Sequence, residues 1–240
     1  MIRPLVILKA GSTWPETAAR LGDFDDWVRA GLGLPADEVA VVELQAGDAL
    51  PDPSEVAGAV VTGSHAMVTD RESWSEATAR WLARAVAAER PILGICYGHQ
   101  LLAHALGGVV DYHPGGREIG TVPVRLTEAG CADPLLGTLP EEFPAHVTHA
   151  QSVRILPPGA VHLAGNEFER NHAFRVGASA WGVQFHPEFS AAAMTAYIDG
   201  QADALRAAGN DVPALRAGVA PTPESASLLA RFILFTLALN

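Results

Sequence analysis

The 240-residue sequence predicts an α/β fold: a mostly parallel sheet flanked by helices, with a small antiparallel β insertion and helices at its C-terminal end. Three observations predict it. Apolar runs of strand length recur through the first hundred residues. Patterns of helical period separate them. One run, Ile92–Ile95, passes into Gly94-Ile95-Cys96-Tyr97-Gly98, the glycine-flanked turn that joins a strand to a helix in α/β proteins.

Leu5–Leu8, Val39–Leu44, Val56–Val61 and Ile92–Ile95 are the expected strands. They are apolar without alternation, as strands covered on both faces are. Glu16–Ala30 reads as a weak helix. Trp74, Thr78, Trp81, Leu82, Ala85 and Val86 recur at spacings of three and four, which gives a stronger one. A third, from Leu101 to Leu106, follows the glycine turn. From Gly107 the character changes. Val109–Tyr112, Gly120–Leu126, His146–Ile155 and Val161–Ala164 are short β-like runs broken by Gly and Pro, and they predict antiparallel hairpins inserted beside the parallel core. Ala180–Phe185 is a further strand, ending in His186-Pro187-Glu188. Ala191–Ala208 returns to helix with a break near Gly200, and Gly209–Thr222 reads as a loop. Glu224–Leu239 is a final helix, apolar on most faces, that either covers the sheet or meets a second chain. We read one domain over 1–240, with a core of 1–190 and a helical extension of 191–240.

Composition narrows the partners. A net charge of −11 and the lack of any Lys/Arg cluster argue against nucleic acid and anionic membrane. The most apolar segment, Leu228–Leu239, is too short to span a bilayer and contains Arg231. The chain opens into a strand without the apolar stretch of a signal peptide. Its cysteines, Cys96 and Cys131, form no CxxC pair, so a reducing cytoplasm is expected. No metal-ligand spacing and no phosphate-binding glycine motif occurs, so no cofactor is expected.

The glycine turn gives Cys96 the setting of a nucleophile. It raises the residue at a strand end and sets the thiol at a helix N-terminus, where the partial positive charge favours thiolate. Cys131 has no such frame. A cysteine nucleophile needs a base, and the base needs an orienting group. His186 ends a strand at the same sheet edge, Pro187 biases it to extended backbone, and Glu188 at i+2 points the same way. The amide of Tyr97 and that of Gly63, in Val60-Val61-Thr62-Gly63-Ser64, are the expected oxyanion donors. His65, His99 and His149 lie near these motifs, either lining a pocket or packing behind it. Glu118 is expected to pair with Arg117 or a backbone amide.

Pro91–Gln100 and Gly182-Val183-Gln184-Phe185-His186-Pro187-Glu188-Phe189 resemble the class I glutamine amidotransferases, in particular the glutaminase domain of GMP synthetase and its stand-alone relatives. Thr62-Gly63-Ser64, Arg117-Glu118-Ile119-Gly120 and His149-Ala150-Gln151-Ser152-Val153 resemble further motifs of that family, in order between or before the two. The resemblance implies a flavodoxin-like glutaminase fold and attack of Cys96 on the side-chain amide of glutamine to give a γ-glutamyl thioester. It implies a Cys96–His186–Glu188 triad, with Gln100, Ser64, Gln151 and Ser152 as substrate-binding positions. Gln151 departs from the Asp often found there, and Ser64 from a second Gly or a Pro. Three readings follow: a glutaminase that feeds ammonia to a synthetase partner chain, a stand-alone hydrolase of γ-glutamyl peptides or amides, or a regulatory module without catalysis. A homodimer is compatible with each.

Overall fold

The structure, a computed structural model, describes residues 3–35 and 38–239. The ends of the assigned domain, Met1, Ile2 and Asn240, lie outside the described residues. Eleven strands are found among them: β1 (Leu5–Lys9), β2 (Val39–Glu43), β3 (Gly58–Val61), β4 (Ile92–Ile95), β5 (Val109–Tyr112), β6 (Glu118–Leu126), β7 (Glu142–His149), β8 (Gln151–Ile155), β9 (Val161–Gly165), β10 (Ala173–Val176) and β11 (Ala180–Val183). The helices are α1 (Pro15–Leu21), α2 (Phe24–Leu32), α3 (Ser73–Ala87), α4 (Tyr97–Ala105), α5 (Glu128–Cys131), α6 (Ala191–Gly200), α7 (Ala202–Ala207), α8 (Val212–Ala217) and α9 (Pro223–Ala238).

Nine of the strands form one sheet in the order β2-β1-β3-β4-β11-β10-β9-β6-β7. The first five are mutually parallel, and every later pair is antiparallel. The β insertion therefore extends the parallel sheet rather than standing beside it. Only β5 and β8 separate, as a two-stranded antiparallel sheet. The expected run His146–Ile155 is two strands, because β7 stays with β6 while β8 leaves to pair with β5.

Alternate residues of β1 show why the parallel strands are apolar throughout. Leu5 and Ile7 join a core cluster with Val28 and Leu32 of α2 and Leu228, Leu229, Phe232 and Ile233 of α9. Val6 and Leu8 join one on the opposite face with Trp81 and Leu82 of α3 and Leu101 and Leu102 of α4. Helix α9 thus covers the sheet, while Leu234, Leu237 and Leu239 remain exposed.

Two helical expectations needed correction. Glu16–Ala30 is not one helix but α1 and α2, broken at Gly22-Asp23. Asp23 accepts from Phe24 N–H and forms a capping box with Asp26, so helix start signals override the weak apolar period. Gly209–Thr222 is not all loop: it holds α8, started by Asp211 accepting from Ala214 N–H. A third cluster, with Phe189, Met194, Tyr197, Ile198 and Leu205, joins α6 and α7 to the core and brings α6 over the C-terminal edge of the sheet. Gly200 permits that approach, since a Cβ there would lie 2.7 Å from the ring of Trp14.

Candidate active site

Cys96 sits between β4 and α4 with φ 51° and ψ −97°, a conformation that side-chain-bearing residues rarely adopt. The flanking glycines make the turn possible. A Cβ on Gly94 would stand 2.4 Å from the carbonyl oxygen of Gly98, and one on Gly98 would stand 2.4 Å from that of Val61. The Cys96 N–H donates to the Val183 carbonyl on β11 at 2.8 Å, and its carbonyl accepts from Gln100 N–H. The backbone is thus held from both sides in a conformation that costs about 1–3 kcal/mol. The thiol donates to the Thr148 carbonyl at 3.9 Å.

His186 follows β11, and its N–H donates to the carbonyl of His146 on β7 at 2.8 Å. Its Nδ1 lies 2.7 Å from Glu188 Oε1, in a pair that is almost wholly buried. The ring stacks on Phe189, 4.0 Å between centroids. Nε2 is buried and has no hydrogen bond within the described residues. Burial disfavours the charged ring, but the charges of Glu188 and Cys96 outweigh it and push His186 up to about 10.

Cys96, Tyr97, His186, Ser64, Gln100 and Gln151 all line one cavity of about 270 Å3. Glu188 stands behind His186 rather than at the cavity. Gly63 lies against the same ring, where a Cβ would come within 3.0 Å of His186 Cε1. The Tyr97 N–H is the first amide of α4, one of the helix-start donors without an intrahelical acceptor. Ser152 is fully buried and falls outside the cavity lining. Successive residues of a strand face opposite ways, so turning Gln151 into the cavity turns Ser152 from it.

Sequence reasoning missed several cavity residues. Trp14 comes from the loop after β1, and Tyr197 and Gln201 come from the helical extension. The Tyr197 hydroxyl donates to Thr13 Oγ1 and accepts from His65 Nε2, both at 3.1 Å, while Gln201 donates to Thr148 Oγ1. Lys9 braces the loop, lying 3.0 Å from Asp23, Asp25 and Glu43. No sequence period links these residues to Cys96; only the fold over of α6 does. His99, by contrast, is fully buried against Phe174 and is held neutral by burial, down to about 3.

Behind the cavity lies a polar network. Glu118 does not pair with Arg117. Its Oε2 is 2.9 Å from His149 Nε2 and 3.3 Å from His172 Nε2, and its Oε1 accepts from Asn166. His149 Nδ1 lies 3.0 Å from the Gln151 carbonyl, which also accepts from Gln100 Nε2 at 2.8 Å. Both ring nitrogens of His149 thus face acceptors, a carboxylate on one side and a carbonyl on the other. Burial opposes the Glu118 charge, but the bonds from His149 and His172 hold it well below the usual carboxylate range. The chain from Glu118 to Gln151 fixes the segment that curves past Cys96.

Glu118→Gln is therefore expected to destabilise the protein by about 1–3 kcal/mol at neutral pH, because it removes the buried carboxylate that His149, His172 and Asn166 all face. A carboxyl whose pKa is lowered on folding stabilises above its ordinary value of 4.5 and loses that contribution as pH falls through its folded value. Denaturant unfolding of both proteins from pH 7 downward should show the difference shrinking in acid.

The family model for glutamine amidotransferase class-I matches residues 38–201. The GMP synthase [glutamine-hydrolyzing] of Porphyromonas gingivalis is 36% identical over 138 residues, 57% of this chain and 26% of that protein. That of Aeropyrum pernix is 36% identical over 159 residues, 65% of this chain and 28% of that protein. The chain thus spans about a quarter of the length of these curated relatives. A glutamine amidotransferase structure from Thermotoga maritima superposes with a TM-score of 0.75 at 21% identity, covering 98% of this chain and 97% of that one, which is a likeness of fold. A glutamine amido transferase structure from Methylobacillus flagellatus gives 0.73 at 26% identity, covering 99% and 94%.

Proposed function

The chain belongs to the class I glutamine amidotransferase family, and we propose that it hydrolyses the γ-amide of glutamine or a γ-glutamyl compound through a thioester on Cys96. The observation that carries this reading is Cys96 held at positive φ on the wall of the cavity that His186 also lines, with Glu188 bonded behind His186.

In this reading Glu188 accepts from His186 Nδ1 and keeps Nε2 turned to the sulfur. His186 holds the proton of Cys96, and the thiolate attacks the γ-carbonyl carbon. The carbonyl oxygen becomes an oxyanion held by the amides of Tyr97 and Gly63. His186 then gives its proton to the leaving nitrogen as the C–N bond breaks. Water, deprotonated by His186, attacks the thioester; the C–S bond breaks and releases glutamate. Gln100, Gln151 and Ser64 face the rest of the substrate. Delivery of the released ammonia to a synthetase partner, as the GMP synthase relatives suggest, belongs to this reading, as does action in the cytoplasm.

The aromatic part of the cavity, Trp14, Phe24 and Tyr197, favours a second reading in which the leaving amine carries a substituent. Glutamate release from purified protein, measured on glutamine, γ-glutamyl peptides and γ-glutamyl amines, tests both. The first reading predicts release from glutamine, and the second predicts faster release from substituted amides. Release from none of them contradicts the proposal.

A further inference from the structure

The cavity differs in charge from the protein around it. The chain carries a net charge of −11, yet no Asp or Glu lines the cavity. Its other basic side chains have partners. His186 is paired with Glu188, and His149 with Glu118. His65 is kept toward its neutral form by burial and by the charge of Arg117. Arg117 itself, in the loop before β6, lines the cavity and has no carboxylate partner among the described residues. Arg117 is exposed on the cavity wall, and a ligand carboxylate would supply both the countercharge and the forked acceptor that its guanidinium matches.

For a substrate ammonium the cavity offers a different kind of partner. Gln151 is buried, its Nε2 donates to Thr69 Oγ1 at 2.6 Å, and its Oε1 has no hydrogen bond among the described residues. An amide oxygen accepts a hydrogen bond from an amine but adds no countercharge.

On the reading that the site acts on γ-glutamyl amides, we infer that Arg117 binds the substrate's α-carboxylate, while the α-nitrogen is met by the uncharged Gln151. The enzyme then selects substrates by their carboxylate far more than by their ammonium.

Two fragments of glutamine separate these contributions. 4-Carbamoylbutanoate keeps the carboxylate and lacks the amine; 4-aminobutanamide keeps the amine and lacks the carboxylate. Wild-type kcat/KM should fall much further for 4-aminobutanamide than for 4-carbamoylbutanoate. Arg117→Gln should lower kcat/KM for glutamine by about 10- to 100-fold, the worth of a charge-assisted hydrogen-bond pair, and mainly through KM. It should leave 4-aminobutanamide unchanged, and Arg117→Lys should restore part of the loss. If glutamine is a poor substrate, the same two deletions are made in the best γ-glutamyl amide. Equal losses on both fragments, or an Arg117→Gln variant that loses as much on 4-aminobutanamide as on glutamine, would overturn the inference while leaving the hydrolytic reading intact. A wild-type protein that hydrolyses no γ-glutamyl amide overturns that reading and the inference with it.

Discussion

Cys96→Ala is expected to lower γ-glutamyl amide hydrolysis by on the order of 10⁴- to 10⁶-fold, the range seen when a covalent nucleophile is deleted from an intact triad. The fold should survive the change. Cys96 is 6% exposed, and its small side chain sits in a core cluster, makes a long 3.9 Å contact to the Thr148 carbonyl and interacts with His186. The strain at this residue belongs to its backbone, at φ 51°, and alanine inherits it. Cys96→Gly should be equally inactive yet more stable than Cys96→Ala by about 1 kcal/mol, since glycine adopts positive φ without a Cβ penalty. Glutamate release and denaturant unfolding, measured together on the two variants, check both halves. A residue placed for packing would lose stability and keep activity.

Glu188→Gln is the second large effect, a loss of about 10³- to 10⁴-fold by analogy with the general behaviour of triad carboxylates. The 2.7 Å contact to His186 Nδ1 would remain possible, but a neutral amide neither fixes the tautomer nor balances the imidazolium. The same change has a signature in stability. His186 is raised from 6.5 to about 10 on folding, against burial, by Glu188 and Cys96. A raised pKa contributes stability that is full below about 6.5 and is lost as pH climbs through about 10. Glu188→Gln should therefore be most destabilised relative to wild type near pH 6, with the two curves converging in alkali. A difference independent of pH would assign Glu188 a packing role.

Much of this site was legible in the sequence for physical reasons. A sharp strand-to-helix turn needs glycine on both sides, so Gly94 and Gly98 mark Cys96 without any knowledge of the fold. His186 and Glu188 lie two apart around a proline, and extended backbone alone sets their side chains in line. The parallel strands betrayed themselves by lacking alternation. Other features are long-range. Tyr197 and Gln201 reach the cavity because α6 folds across the sheet edge to meet Trp14 from the loop after β1, and nothing local in Ala191–Gly200 encodes where that helix lands. The partners of Glu118 are not its neighbour in sequence, Arg117, which precedes the strand, but His149, His172 and Asn166 from three other segments. Ser152 shared a motif with Gln151, but strand alternation divides the two.

The proposed reaction passes through a covalent bond between Cys96 sulfur and the γ-carbon of the substrate. Mixing the protein with glutamine, quenching in acid within the first turnover and mapping adducts by peptide mass spectrometry tests it directly. The expected result is one γ-glutamyl group on the peptide that carries Cys96, lost on neutralisation and absent from Cys96→Ala. Hydrolysis that proceeds with no adduct at any time point, or with the adduct on another residue, would contradict it.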